Sequence, residues 1–223
     1  PGTQDDPLSG YASYYSKSNE KTLPGYYEVL LETHHIKVEL TASDRVAFHR
    51  YTFPKMAEKY VMINLKDANG DDRPTDTYLE QVNDTTVRGY RCSTGWSKLQ
   101  QIYFTAVFSE PVHLALYHDS ISVQSNMLQG VDVKGNIIVA SDVEKLDMKV
   151  GISPVSMENA AANIQQEIAD WNFERVVGET TAKWNAELSK LQVTTTDTVA
   201  KRIFYTALYH AFIQPVMFND YNR

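Results

Sequence analysis

The spacing of the apolar residues changes once along this chain, near Ser153, and that change limits the fold more than any other feature of the sequence. Before it, apolar and polar residues alternate. Ile36, Val38, Leu40 and Ala42 interleave with Lys37, Glu39 and Thr41, the pattern of a half-buried antiparallel strand. GYYEVLL and IKVELTA meet at a turn, His34–His35, and RVAFHRYTF alternates until Pro54 stops it. KYVMINL, TYLEQV, TTVRGYRCS, QQIYFTAVFS, VHLALYHD, NIIVAS and EKLDMKVGIS follow, with a turn centred on Asn69-Gly70 after the first of them. About ten strands with short turns and no helix between them predict an antiparallel β-sandwich rather than βαβ units. Residues 1–24 are polar and turn-rich, and read as loop with one short strand around Tyr11–Tyr15.

After Ser153 the period becomes helical. Ala160, Ile164, Ile168 and Trp171 fall on one face, and Phe173, Val177, Trp184, Leu188 and Leu191 on another. Thr196 and Asp197 read as the cap region of a third helix, which Pro215 ends. In that helix Val199, Ile203, Phe204, Ala207, Leu208, Ala211 and Phe212 form an apolar stripe wider than a surface helix needs, and such a helix requires cover from other helices. The expected fold class is mainly β with C-terminal helices. Residues 1–152 are read as an N-terminal β-sandwich domain, 153–192 as a helical connector and 193–223 as the first helix and loop of an α-domain that is cut off.

Composition narrows the function classes. The chain is 43% apolar, enough for a packed core, and carries a formal charge of −7 with no basic run, which argues against nucleic-acid and anionic-membrane partners. No stretch approaches the ~20 apolar residues that cross a bilayer. No signal peptide is visible, and the opening PGTQDDPLSG resembles the interior of a loop, so the front is expected to have been removed. Cys92 is the only cysteine, so no intrachain disulfide forms, and it reads as a small buried apolar residue.

No motif marks a catalytic centre. Glu28, Glu32, Glu39, Asp44, Glu80 and Asp119 sit on alternating strands or in turns and read as solvated face residues, and none is assigned as an acid or base. His34 and His35 are neighbours whose side chains diverge on a strand, and His49, His113, His118 and His210 give no ligand spacing, so no metal site is assigned. DANGDD lacks the glycine position and terminal glutamate of an EF-hand loop and reads as an acidic turn. Trp96, in STGWSK, has a flat apolar face suited to stacking on a pyranose; an interdomain or core tryptophan is the other reading. Arg88 and Arg91 are candidates for carboxylate pairing across a domain interface, or ordinary surface arginines. Trp171 and Trp184 fall on helical apolar faces and read as packing residues.

Five stretches in order carry a resemblance: PGYYEVLL, IKVELTASDRVAFHRYTFP, RGYRCSTGWSKLQQIYFTAVFSEP, KWNAELSKLQV and KRIFYTALYHAFIQPVMFNDYNR. Together they resemble glycoside hydrolase family 92, the calcium-dependent exo-acting α-mannosidases, from about Ser16 to Arg223. The resemblance implies a β-sandwich followed by helices and the first helix of a truncated (α/α)6 barrel, with a cleft between the two parts. It implies an inverting α-1,2-mannosidase acting on mannose-containing glycans, which needs two carboxylates ~6.5–9.5 Å apart. It places the acid, the base and most calcium ligands beyond Arg223, so calcium belongs to the parent enzyme and none is expected on this chain. It places Asn219 and Asp220 on a loop facing the cleft, which makes them, with Trp96, the candidate substrate-binding residues. By the same resemblance the parent is secreted, periplasmic or cell-surface. Two departures stand out: Lys17 sits where the family often has a histidine, and the glycine-rich region that normally precedes the sandwich is missing. The chain alone is expected to be non-catalytic. A stand-alone carbohydrate-binding β-sandwich, or an oligomerising module that pairs through the terminal helix, is the alternative.

Overall fold

A computed structural model describes residues 12–55, 58–68 and 71–222. The sequence-predicted order appears in it, β first and α last. The strands are β1 (Glu20–Leu23), β2 (Tyr26–Leu31), β3 (Ile36–Ala42), β4 (Val46–Thr52), β5 (Lys59–Asn64), β6 (Arg73–Asn83), β7 (Thr86–Thr94), β8 (Gln100–Phe108), β9 (Val112–His118), β10 (Ile121–Val123), β11 (Met127–Gly130), β12 (Val133–Val139) and β13 (Lys145–Ser153). The helices are α1 (Met157–Glu167), α2 (Phe173–Leu188) and α3 (Thr198–Phe212). A large sheet runs β1-β2-β3-β4-β13-β8-β7-β6-β11 and a small one β10-β9-β12-β5, and their ladders are antiparallel.

Alternation along each strand sends one set of residues between the sheets, where Leu79, Phe108, Leu116, Ile137 and Leu146 form a dry core. The opposite face of the large sheet is not left to solvent. α1 and α2 lie on it, and Val46 and Phe48 of β4 pack with Ile164, Ile168, Phe173 and Val176. The protein therefore has three layers: small sheet, large sheet, helices. β13 is covered on both faces, which is why Leu146, Asp147, Met148 and Lys149 are all buried.

The covered face carries charge as well as apolar side chains. Arg50 donates to both oxygens of Asp147, at 2.9 and 3.1 Å, and to Glu174 on the first turn of α2 at 2.5 Å, and its guanidinium lies over the Phe173 ring. Lys149 donates to the carbonyls of Ile168 and Ala169 at the end of α1 and lies over the Trp171 ring. Both helices are capped from their own sequence, by Ser156 and Asn172.

Three readings change. The structure has no strand in residues 12–16, though Tyr14 exchanges hydrogen bonds with Glu32 and Thr33 at the margin of β2; Tyr11 lies outside the described residues, as does the Asn69-Gly70 turn. β1, β10 and β11 are additional; each has three or four residues and lies at a sheet edge, too short to show a period. Trp171, read on the apolar face of a helix, lies in the link between α1, which ends at Glu167, and α2, which starts at Phe173. Asp197 caps α3 as expected, its carboxylate accepting from the Val199 and Ala200 amides at 2.9 Å.

Gly151 is where α1 approaches β13 most closely. A Cβ there would lie 2.2 Å from the Ala160 carbonyl oxygen and 2.8 Å from Ile164. Gly151→Ala must push α1 off the sheet, and the expected loss is about 2 kcal/mol or more by chemical denaturation. A loss below about 0.5 kcal/mol would mean that α1 is not held at this distance.

Candidate functional site

The register of the large sheet brings several turns to one end of the sandwich. Ala42 pairs with Ala47 around the β3–β4 turn, Val46 pairs with Gly151, and Ser153 pairs with Tyr103 near the start of β8. The β3–β4 turn, the link from β13 to α1 and the β7–β8 turn that carries Trp96 therefore share that end. The segment after α3 returns to it.

There the segment is anchored. Asp220 is 1% exposed. Its carboxylate accepts from the Ser153 hydroxyl at 3.1 Å, Asn159 Nδ2 at 2.6 Å and Asn163 Nδ2 at 3.1 Å. Asn163 also donates to the Ile152 carbonyl at 2.9 Å and accepts from the Tyr221 amide at 3.1 Å. Asn219 is half-buried; its side chain donates to the Asp220 carbonyl at 3.0 Å, and its own carbonyl accepts from Arg45 Nε. Arg45 is in turn paired with Glu167 at 2.7 Å, and Glu167 accepts from the Ser43 hydroxyl at 2.6 Å. The segment is thus tied to the β3–β4 turn, to the end of β13 and to α1.

Beside this anchor a cleft of about 1290 Å³ opens between the sheet end, α2 and α3. Tyr26, Arg45, Glu167, Lys183, Trp184 and Tyr209 contribute to its walls. The cleft is wide because α3 stands off the sheet: it has no buried residue and meets α2 mainly through Trp184 and Tyr209, whose ring centroids are 4.6 Å apart. Trp96 does not line the cleft. It is fully exposed at its turn, which removes the reading of a core tryptophan. Trp184 packs on Tyr209 as expected, whereas Trp171 lies off the helices, partly exposed, and meets Phe48 edge-on.

The carboxylates are less solvated than their strand positions suggest. Glu28 and Glu39 face each other across β2 and β3, and the Tyr26 hydroxyl lies 2.5 Å from one and 2.8 Å from the other. Lys37 bridges both, at 3.1 and 3.4 Å. The Tyr26 bond and Lys37 hold Glu28 below the usual carboxylate range, and burial with both glutamates raises the Tyr26 phenol. Glu80 pairs with Arg88, which also reaches Glu158 of α1, and Arg91 pairs with Asp72. Arg88 and Arg91 do pair with carboxylates, and of these pairs only Arg88–Glu158 reaches from the sandwich to the helices; which carboxylates they meet was not readable, because the partners come from neighbouring strands and from α1, which no local motif announces.

Calcium takes 6–8 oxygen ligands. Among the described residues no group of three or more His, Cys, Asp or Glu converges on one point. The oxygens of Asp220 are turned to amide and hydroxyl donors, and the Glu28–Glu39 pair holds an ammonium and a phenol, so neither set fits a calcium ion.

The sequence profile of the glycosyl hydrolase family 92 N-terminal domain matches residues 1–153, and that of the family 92 catalytic domain matches residues 159–223. Among solved structures, a family GH92 α-mannosidase from Bacteroides thetaiotaomicron is similar over 99% of this chain and 31% of its own, with a TM-score of 0.93 and 31% identity. Its complex with mannoimidazole gives a TM-score of 0.92 at 31% identity, over 99% of this chain and 30% of that one. A further GH92 glycosyl hydrolase gives 0.86 at 24% identity, over 95% of this chain and 30% of its own. The chain spans less than a third of the length of these relatives. No curated protein matches it.

His49 at this end of the sheet supplies a pH test. Burial pushes its imidazole down from 6.5 to about 4, and its Nδ1 lies 2.9 Å from the Tyr51 hydroxyl, whose own pKa burial raises. Between these two values the unfolded chain binds a proton that the folded chain refuses, so stability is present above pH 6.5 and is lost as pH falls toward 4. The loss is expected to reach about 3 kcal/mol, and His49→Gln should flatten that slope in urea titrations. An unchanged slope in the variant would contradict the assignment.

Proposed function

This chain belongs to glycosyl hydrolase family 92, and we propose that it forms the N-terminal portion of an exo-acting, inverting α-1,2-mannosidase that degrades mannose-containing glycans. The observation that carries this reading is the match over 99% of the chain, at 31% identity, to an α-mannosidase. In this role the sandwich supports a helical catalytic domain and supplies one wall of the substrate cleft. α3 suits such a partner: Val199 and Ile203 are 66% and 64% exposed, and Val216, Met217 and Phe218 continue an apolar surface beyond it. Helices of the remaining catalytic domain would cover that surface, and pairing with a second copy of this chain is the competing outcome.

The chemistry of the proposed reaction needs one carboxylic acid to protonate the glycosidic oxygen and one carboxylate to activate water on the opposite face. The resemblance to family 92 implies that the acid, the base and most ligands of the calcium that would orient sugar hydroxyls belong to polypeptide outside residues 1–223, and the carboxylates described above, held by arginine, lysine, tyrosine or amide partners, are in keeping with that. This chain's own contribution is placement. Trp96 offers a free aromatic face for a sugar ring, and Asn219 and Asp220 fix the loop at the cleft margin. A secreted, periplasmic or cell-surface location accompanies the reading.

The purified 223-residue chain is expected to release no mannose from α-1,2-mannobiose. The polypeptide of the source gene that contains it is expected to release mannose whose first anomer, by proton NMR, is β. Hydrolysis by the short chain, or release of the α anomer first by the longer one, would overturn the proposal.

A further inference from the structure

Residues 198–222 meet the rest of the chain at few places. α3 leans on α2, and the Tyr205 hydroxyl donates to the Leu191 carbonyl at 3.2 Å. The segment beyond α3 then exposes Ile213, Val216, Met217 and Phe218 before it ends at a deeply buried carboxylate, that of Asp220. The donors to that carboxylate come from two places. Ser153 closes β13, and Asn159 and Asn163 are one helical turn apart on one face of α1. The N-terminal family match ends at residue 153 and the catalytic-domain match starts at 159, so a single side chain joins the last residue of one to the first turns of the other.

We infer that Asp220 is a positioning residue whose carboxylate sets the place of residues 198–222 against the end of the sandwich. A carboxylate is suited to this because it only accepts, and three donors converge on it. An amide of the same shape would turn its own NH₂ toward the NH₂ of Asn159 or Asn163. Its consequence for catalysis rests on the mannosidase reading; the contact itself does not.

Amide hydrogen exchange on the 223-residue chain tests the inference, read at the Tyr221 amide and its neighbours in 213–222. Asp220→Asn is expected to speed exchange there about 10–100-fold, with β13 and the middle of α1 serving as the control for folding. Asp220→Asn combined with Asn159→Asp restores an acceptor opposite a donor, and is expected to return protection to within about threefold of the parent. Asn159→Ala alone, which keeps the carboxylate and removes one donor, is expected to give a rise of about 3–10-fold and remains informative should Asp220→Asn fail to fold. Exchange unchanged in either single variant, or a double variant as fast as Asp220→Asn, would overturn the inference. No glycosidase activity enters the readout. An inactive parent enzyme would remove the mannosidase reading and leave the anchor standing, and unchanged exchange would do the reverse.

Discussion

The arrangement of this protein depends on how the large sheet treats its second face. That face carries Arg50, Asp147 and Lys149, and two helices cover it. Burying three charges under helices costs several kcal/mol per ion unless each finds partners. Here each does. Arg50 and Asp147 pair through two bonds across adjacent strands, Arg50 also takes Glu174 from α2, and Lys149 takes the carbonyls of Ile168 and Ala169, just past the C-terminal end of α1. The same groups that would penalise covering the sheet therefore fix where the helices sit. Burial lowers the Lys149 ammonium, while the nearby Asp170 carboxylate acts the other way.

From that fixed connector the rest follows outward. α2 runs across the ends of β2 and β3, where Thr180 donates to the Ala42 carbonyl and Lys183 pairs with Asp44. Gly25, at φ +86°, passes so close to Thr180 that a Cβ would lie 2.7 Å from its methyl. α3 departs from α2 with its apolar stripe largely uncovered, and the chain is tied back to β13 and α1 by the Asp220 carboxylate and the Tyr221 amide. The cleft is the space this path encloses. The sandwich thus holds a helical element at the edge of an open cleft.

The sequence made the layers legible because they rest on local periods: alternation in Ile36–Ala42, helical spacing in Ala160–Ile168 and in Val199–Phe212. The His34–His35 turn was legible for the same reason, and His35 adopts a left-handed φ of 52° there. The charges under the helices were not. Period two puts Asp147 and Lys149 on a polar face and Arg50 beside Val46 and Phe48, and nothing within either strand says that helices further along will cover them. The Asp220 anchor was hidden more completely, since its donors lie 57, 61 and 67 residues away. The exposure of Trp96 was not legible either, since a tryptophan in a turn can as well be buried; its turn leaves it outside the cleft walls.

The most direct measurement is a double-mutant cycle on Arg50 and Asp147, followed by denaturant unfolding. Arg50→Met is expected to cost about 3–5 kcal/mol, because it strands the buried Asp147 carboxylate, and Asp147→Leu less than that, because Arg50 keeps Glu174, while the double variant is expected to recover most of the Arg50→Met loss. Single variants that each cost less than about 1 kcal/mol, or a double variant that costs the sum of the two, would show that the helices are not held on the sandwich by this pair.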